Sequence, residues 1–250
     1  NNTIVFDLTT NNFFRYDVDV WVQVGGGGGG LTCEDLPECP VIEDIQDSID
    51  NLEDVVVISN ETSIPVVGFG RVYNYYAPFD ARGFYRSGWR MPTKTEVESM
   101  VTFLGGASVA GGSLKDTSLN FWSSPNDGAT NSAYFNGRAA GIRNRFNGAF
   151  SNLRQRNYIF CSDGAGVNDG DIFYFYYDDD NVTWGNFSAN TGVSVRGVKE
   201  STTLGEGQKG SYRCHNGDIL RTAVINGVEW IVENMTETEF ANGDIIPKIT

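Results

Sequence analysis

Apolar and polar residues alternate through TIVFDLTTNNFFRYDVDVWVQV, residues 3–24, with the polar cluster TTNN between two runs. A period of two broken by turn residues predicts a small β hairpin. A hairpin of that size is not stable alone, so it needs other domains or other copies of itself. Six glycines follow, Gly25–Gly30. They have no side chains to pack and predict a flexible link or a close-approach element. The pattern then changes period. In VIEDIQDSIDNLEDVVV, the residues Ile42, Ile45, Ile49, Leu52 and Val56 recur at spacings of three, four, three and four. This is a heptad seam, and Ile at both kinds of seam position favours three strands over two. A short parallel trimeric coil is therefore expected here, against the plainer reading of an amphipathic helix lying on its own domain. Its other faces are acidic or polar, and that charge repels across a trimer.

After Pro65 the pattern changes again. PTKTEVESMVTFLGG, residues 92–106, carries the clearest helix signal in the chain. Thr93 is placed to cap it and Glu96 to reach back, the two halves of a capping box. Val97, Met100, Val101 and Leu104 form one apolar face, and Gly105 and Gly106 end the helix. From Leu119 onward short strand-like runs alternate with Gly, Asn and Asp turns. DIFYFYYDDDNVTWGNFSANTGVSVRGV, residues 171–198, predicts two or three strands in hairpin arrangement. Alternation sends Phe173 and Phe175 to one face and Tyr174 and Tyr176 to the other. STTLGEGQKG, residues 201–210, has the composition of a linker.

Composition changes this picture in three ways. Thirty glycines and eleven tyrosines favour a loop-rich β or α+β protein over a helical one. The formal net charge of −14 argues against wrapping a nucleic acid backbone. No apolar run approaches the ~20 residues of a membrane span, so no membrane insertion is expected. The charge is also unevenly placed. Ten acids and no base lie between Cys33 and Glu61, five arginines and no acid between Ala129 and Phe160, and six Asp with no base between Asp163 and Asp180. Two readings of the arginine block stand: pairing with the Asp block on one surface, which is the plainer, or contact with an acidic glycan or phosphate. Four cysteines include no CxxC pair and there is one histidine, so neither a zinc site nor any cofactor is expected. Cys33 and Cys39 flank a short loop and are read equally well as a disulfide or as free thiols.

The segments YNYYA, SGWRMPTKTEVESMVTFLGG, GGSLKDT, FWSSPNDGATN and GVSVRGVKE occur in that order over about residues 66–200. Together they resemble the Fibrobacter succinogenes major paralogous domain, a family similar to the C-type lectin fold. VINGVEWIVENMTETEFANGDIIP, residues 224–247, resembles the start of such a domain, with its Trp, Glu-Asn pair and Asn-Gly turn. The resemblance implies that the chain enters a second copy and is a piece of a longer repeat protein. The expected organisation is a hairpin and Gly-rich link (1–30), an acidic coiled-coil stalk (31–60), a C-type-lectin-like domain (61–200), a linker (201–210) and the start of a second lectin-like repeat (211–250). The fold class is then α+β. The resemblance also implies a setting, for such domains occur on surface proteins of Bacteroidetes-type bacteria. Related lectin-like domains sit at the tips of bacteriophage fibres, where they display diversified residues.

The stretch from Asn168 to Asn190 holds Asn168, Asp169, Tyr174, Tyr176, Tyr177, Asp178, Asp179, Asp180, Asn181, Asn186 and Asn190. Tyr offers large contact area at low entropic cost and Asn adaptable hydrogen bonds, which suits a binding face. The composition also fits adenine-directed change of Asn codons by a diversity-generating retroelement. The plainer reading is ordinary strand Tyr and turn Asn/Asp. Trp184 is a sugar platform or a packing residue. Arg143, Arg145, Arg154 and Arg156 are candidate contacts for an acidic partner. YDDDN supplies oxygen ligands, but consecutive strand residues diverge, so no metal is expected. For catalysis, Cys161 and Cys214 fall on opposite sides of the expected domain boundary, and His215 has no nucleophile elbow near it; no enzyme is expected. The expected function is a homotrimeric phage tail or head fibre protein in the virion, assembling with other virion proteins and binding a bacterial surface glycan or protein. The alternative is a secreted or surface-anchored bacterial repeat protein that binds polysaccharide as an adhesin.

Overall fold

The computed structural model describes residues 4–7, 12–17, 20–26, 68–163 and 168–248. The chain divides into two units, one within residues 1–55 and one within 56–250. In the first unit the strands β1 (Ile4–Asp7), β2 (Asn12–Asp17) and β3 (Val20–Gly26) form an antiparallel sheet in that order. The expected hairpin thus has a third strand. Gly25 and Gly26, expected in the link, pair with Phe13 and Asn12 across a register shift at Phe13/Phe14.

In the second unit the capping box forms as the sequence pattern predicts. Helix α1 runs Lys94–Phe103. The Thr93 side chain accepts from the Glu96 backbone N–H while the Glu96 carboxylate accepts from the Thr93 backbone. Arg90 then holds the same carboxylate at 2.7 Å. Val97, Met100 and Val101 face the core, and Gly105 and Gly106 close the helix at positive φ. A second helix, α2, spans only Ala110–Leu114.

The rest is sheet. One sheet has the order β10-β9-β8-β11-β4 and another β13-β14-β15-β12-β5. Their members in chain order are β4 (Val72–Tyr73), β5 (Trp89–Arg90), β8 (Arg156–Phe160), β9 (Asp169–Tyr176), β10 (Thr183–Ser188), β11 (Val193–Ser194), β12 (Val198–Lys199), β13 (Lys209–Arg213), β14 (Ile219–Ile225) and β15 (Val228–Ile231). Strands β6 (Ile142–Arg143) and β7 (Phe150–Ser151) form a separate hairpin. All pairings are antiparallel except β11 with β8, where Ser194 lies beside Ile159.

Two clusters fill the interior. The first joins Val97 and Met100 to Leu114, Trp122, Phe135, Phe173, Phe175 and Trp230. The second joins Tyr73, Phe84, Met91, Phe160, Ile172, Tyr212, Ile231 and Met235.

Two expectations are corrected. The α+β class gives way to a mostly β architecture, because among the described residues only the Lys94–Phe103 segment sustains a helical apolar face; Ala110–Leu114 is a five-residue turn of helix. Among the described residues there is no coiled coil, and the seam Ile42, Ile45, Ile49, Leu52 and Val56 lies outside them. Residues 211–248, expected to begin a second repeat, pack into the same unit as residues 68–200. Trp230 of β15 pairs with Val198 of β12, and Trp230, Ile231 and Met235 are fully buried among residues of 68–200. Met235 also exchanges backbone bonds with Arg71 and Val195. Gly70, at φ 73°, lets the chain pass beside Asn234, where a Cβ would come within 2.6 Å of the Asn234 Cβ. A strand trio with one apolar face buries it against whatever complementary surface is nearest, and here that surface belongs to the same unit.

Buried charge locks this closure. Arg196 is fully buried and donates to the Asn234 side chain at 3.1 Å and to the Phe135 and Asn136 carbonyls. Glu233, also buried, meets Arg138 at 3.5 Å and Arg221 at 2.7 Å. A buried charge is tolerated when its hydrogen bonds are filled, and these are filled across the junction between residues 68–200 and 209–248.

Candidate recognition face

Strands β8, β9 and β10 form a meander whose faces differ. Phe173 and Phe175 point into the first core cluster, as the alternation predicts. On the other face, Arg156, Tyr158, Ile172, Tyr174, Tyr176, Gly185, Asn186 and Phe187 line an open depression of about 240 Å³. Cross-strand register assembles it: Tyr158 lies opposite Tyr174, and Arg156 opposite Tyr176. The ring centroids of Tyr158 and Tyr174 are 5.2 Å apart, those of Tyr174 and Tyr176 5.4 Å, and those of Tyr158 and Phe187 5.3 Å. The Arg156 guanidinium sits 4.5 Å from the centre of the Tyr176 ring and donates to the Tyr158 hydroxyl at 2.9 Å. That hydrogen bond raises the arginine's pKa further. Burial, then the hydrogen bond with Tyr174, raises the Tyr176 phenol, so the rim stays neutral at Tyr176 and positive at Arg156.

A second depression, about 370 Å³, is lined by Asn74, Arg143, Arg145, Phe146 and Asn190. Arg145 donates to the Ser188 hydroxyl at 2.7 Å and lies 4.2 Å from the centre of the Phe146 ring, which is 82% exposed. Residues 187–190 therefore connect the two depressions, with Phe187 in the first and Asn190 in the second.

The family comparison falls on this same framework. The family model of the Fibrobacter succinogenes major domain matches residues 38–199. The chain belongs to that family. No curated protein and no solved structure matches it. The matched region of this family domain ends at Lys199, the last residue of β12. Strands β13–β15, which complete its core here, lie beyond the match.

Within the domain, the residues singled out by sequence fall into five groups. Tyr174, Tyr176 and Asn186 meet at the first depression, and Arg143 and Arg145 at the second. Asn168 and Asp169 are exposed at the start of β9, where the Asn168 carbonyl accepts from the Ala189 N–H. Asp178, Asp179, Asp180 and Asn181 form the turn after β9, which bonds both within itself and to the Gly111–Lys115 segment. The Asp179 carboxylate accepts from the Asn181 N–H, and the Asp180 carbonyl accepts from Gly111. Lys115, fully buried, reaches under this turn and donates to the carbonyls of Asp127, Tyr176 and Asp179. Burial lowers its pKa, against the pull of Asp180, Asp179 and their neighbours. The acidic turn thus receives a protein cation from below. Trp184 packs against Phe173 in the first cluster and is a packing residue.

Tyr158, Phe187, Asn74 and Phe146 escaped the sequence reading. Only Tyr158 left a usable signal, the two-residue spacing that puts it on the face of Arg156. The structure also decides the arginine question. Arg143, Arg145, Arg154 and Arg156 form no ion pair with any carboxylate of the Asp163–Asp180 block; Arg154 instead bonds the Leu119 and Trp122 carbonyls.

Proposed function

We propose that this chain is a non-catalytic recognition module, displayed on a virion fibre or a bacterial surface, whose tyrosine–arginine face binds a bacterial surface glycan or protein. One observation carries the reading. Strands β8 and β9 bury Ile159, Phe173 and Phe175 on one face yet leave Tyr174, Tyr176 and Arg156 around an open hollow on the other. Aromatic rings with hydrogen-bonding hydroxyls suit such a surface, since they give contact area with little entropy to lose. The thiols support the non-catalytic part. Cys161 and Cys214 are fully buried. Burial pushes the Cys161 thiol far up and the Cys214 thiol up to about 12, so neither supplies a thiolate.

The fibre setting rests on the heptad seam and the Gly-rich link of the first 60 residues, with a homotrimer as its assembly. The second setting, a secreted or surface-anchored repeat protein, is favoured by the family match, which begins at residue 38 and so takes in the segment read as stalk. Light scattering on the chain beside an Ile45→Asp, Ile49→Asp variant separates them. A trimer that becomes a monomer supports the fibre, and a monomer in both supports the repeat protein. Binding to whole bacterial cells, lost on Tyr176→Ala with the fold intact, tests the face itself. Undiminished binding by that variant refutes it.

A further inference from the structure

The two depressions share one construction. In the first, a guanidinium lies 4.5 Å from the centre of an exposed-edge ring, Arg156 with Tyr176; in the second the pair is Arg145 with Phe146 at 4.2 Å. Arg143 lines the second depression too. None of the three guanidiniums has a carboxylate partner among the described residues, in a protein whose net charge is −14. Asp169, placed opposite Ser188 in the strand register, forms no ion pair with them. An acidic chain of this kind has carboxylates to spare, so three arginines without a carboxylate partner leave positive charge at the two depressions.

Resting on the reading of this face as a binding site, we propose that its ligand is an acidic polysaccharide, with one anionic sugar unit in each depression. A guanidinium presents a planar fork that matches a carboxylate or a phosphate in two parallel hydrogen bonds. The ring beside it stacks on the apolar face of a sugar. Two copies of that pairing, joined through residues 187–190, suit a polymer that repeats both features. Single-stranded nucleic acid also pairs stacking with charge, but the overall negative charge opposes a backbone carrying one phosphate per nucleotide.

The test titrates the full chain with polygalacturonate, dextran phosphate, neutral dextran and oligo-dT by calorimetry at two salt concentrations. Arg145→Gln/Arg156→Gln and Tyr176→Ala variants are run beside it, and thermal melts confirm the fold. The expected result is binding of at least one of the two anionic polymers, weaker at high salt, with a loss of about tenfold or more in the double arginine variant, as expected for removing charge-assisted hydrogen bonds. Polygalacturonate and dextran phosphate distinguish carboxylate from phosphate as the anion. Equal binding of dextran, binding of oligo-dT alone, no binding of either anionic polymer, or unchanged affinity in the double variant each overturns the proposal. Cell binding that needs Tyr176 but survives Arg145→Gln/Arg156→Gln overturns the acidic ligand while leaving the recognition face standing.

Discussion

Replacing Trp230 by Ala tests whether the last forty residues close the domain. The indole is fully buried, packed 6.1 Å from Phe135 and shared with Val198, Ala223 and Phe173 in one cluster. Truncating a buried Trp to Ala costs about 3–5 kcal/mol from lost transfer energy and the cavity left behind. Its Nε1 has no hydrogen-bond partner, so removal returns about 1 kcal/mol of the desolvation already spent. The expected net loss is therefore about 2–4 kcal/mol. For a unit of this size, each kcal/mol lowers Tm by roughly 2–4 °C, giving a fall of roughly 5–15 °C. Urea unfolding gives the free energy, and amide exchange in β8 and β9 reports where the loss is felt. A Phe146→Ala control, at an exposed ring, should change little. Trp230→Phe should cost much less than Trp230→Ala, because it keeps a ring and drops the unpaired N–H. If Trp230→Ala leaves exchange in Arg156–Phe160 and Asp169–Tyr176 unchanged, the closure of the domain by residues 209–248 is refuted.

Four further outcomes are expected. Lys115→Met should cost about 2 kcal/mol in urea unfolding, since it strips the buried ammonium from three partly buried carbonyls, and it should weaken cell binding through Tyr176. At Glu96, burial pushes the carboxyl up, but Arg90 and the Thr93 contacts more than offset it and the pKa ends below 4.5. Its contribution is thus present above that unfolded value and lost as pH falls through the lower folded one, so Glu96→Gln should flatten the acid limb of the stability curve. The Asp80 carboxyl, held down to about 2 by the Arg82 side chain, should show that value in an NMR titration, and Arg82→Gln should return it toward 3.8. Cys161 and Cys214 should resist a thiol reagent in the native protein and react only on unfolding, which tracks their burial.

Local chemistry determined the parts whose partners lie close in sequence. The Thr93–Glu96 box starts a helix because its bonds close within four residues. Phe173 and Phe175 are inside because a strand inverts its side chains at every step. An Asn-Gly turn, with Asn226 and Gly227 both at positive φ, joins β14 to β15 as its dipeptide dictates. The Tyr-rich face was legible to the same depth: alternation separated Tyr174 and Tyr176 from the core, but nothing local announced that Tyr158 and Phe187 would complete the hollow.

Tertiary structure decided what pairing at long range decides. VEWI reads as a strand wherever it sits, and the family resemblance made it a beginning. Val198 and the space beside Phe135 made it a closing strand instead, because its apolar face found burial in the unit already formed. Arg138 and Arg196 look like surface cations in sequence. Asp116 and the carbonyls of residues 135 and 136 meet them from the same part, and Glu233 and Asn234 complete their surroundings when the two parts meet. Arg143, Arg145 and Arg156 stay outside because no carboxylate is brought to them. A charge is buried or exposed according to the hydrogen-bond partners that folding delivers, and for Arg138 the partner Glu233 lies 95 residues away along the chain.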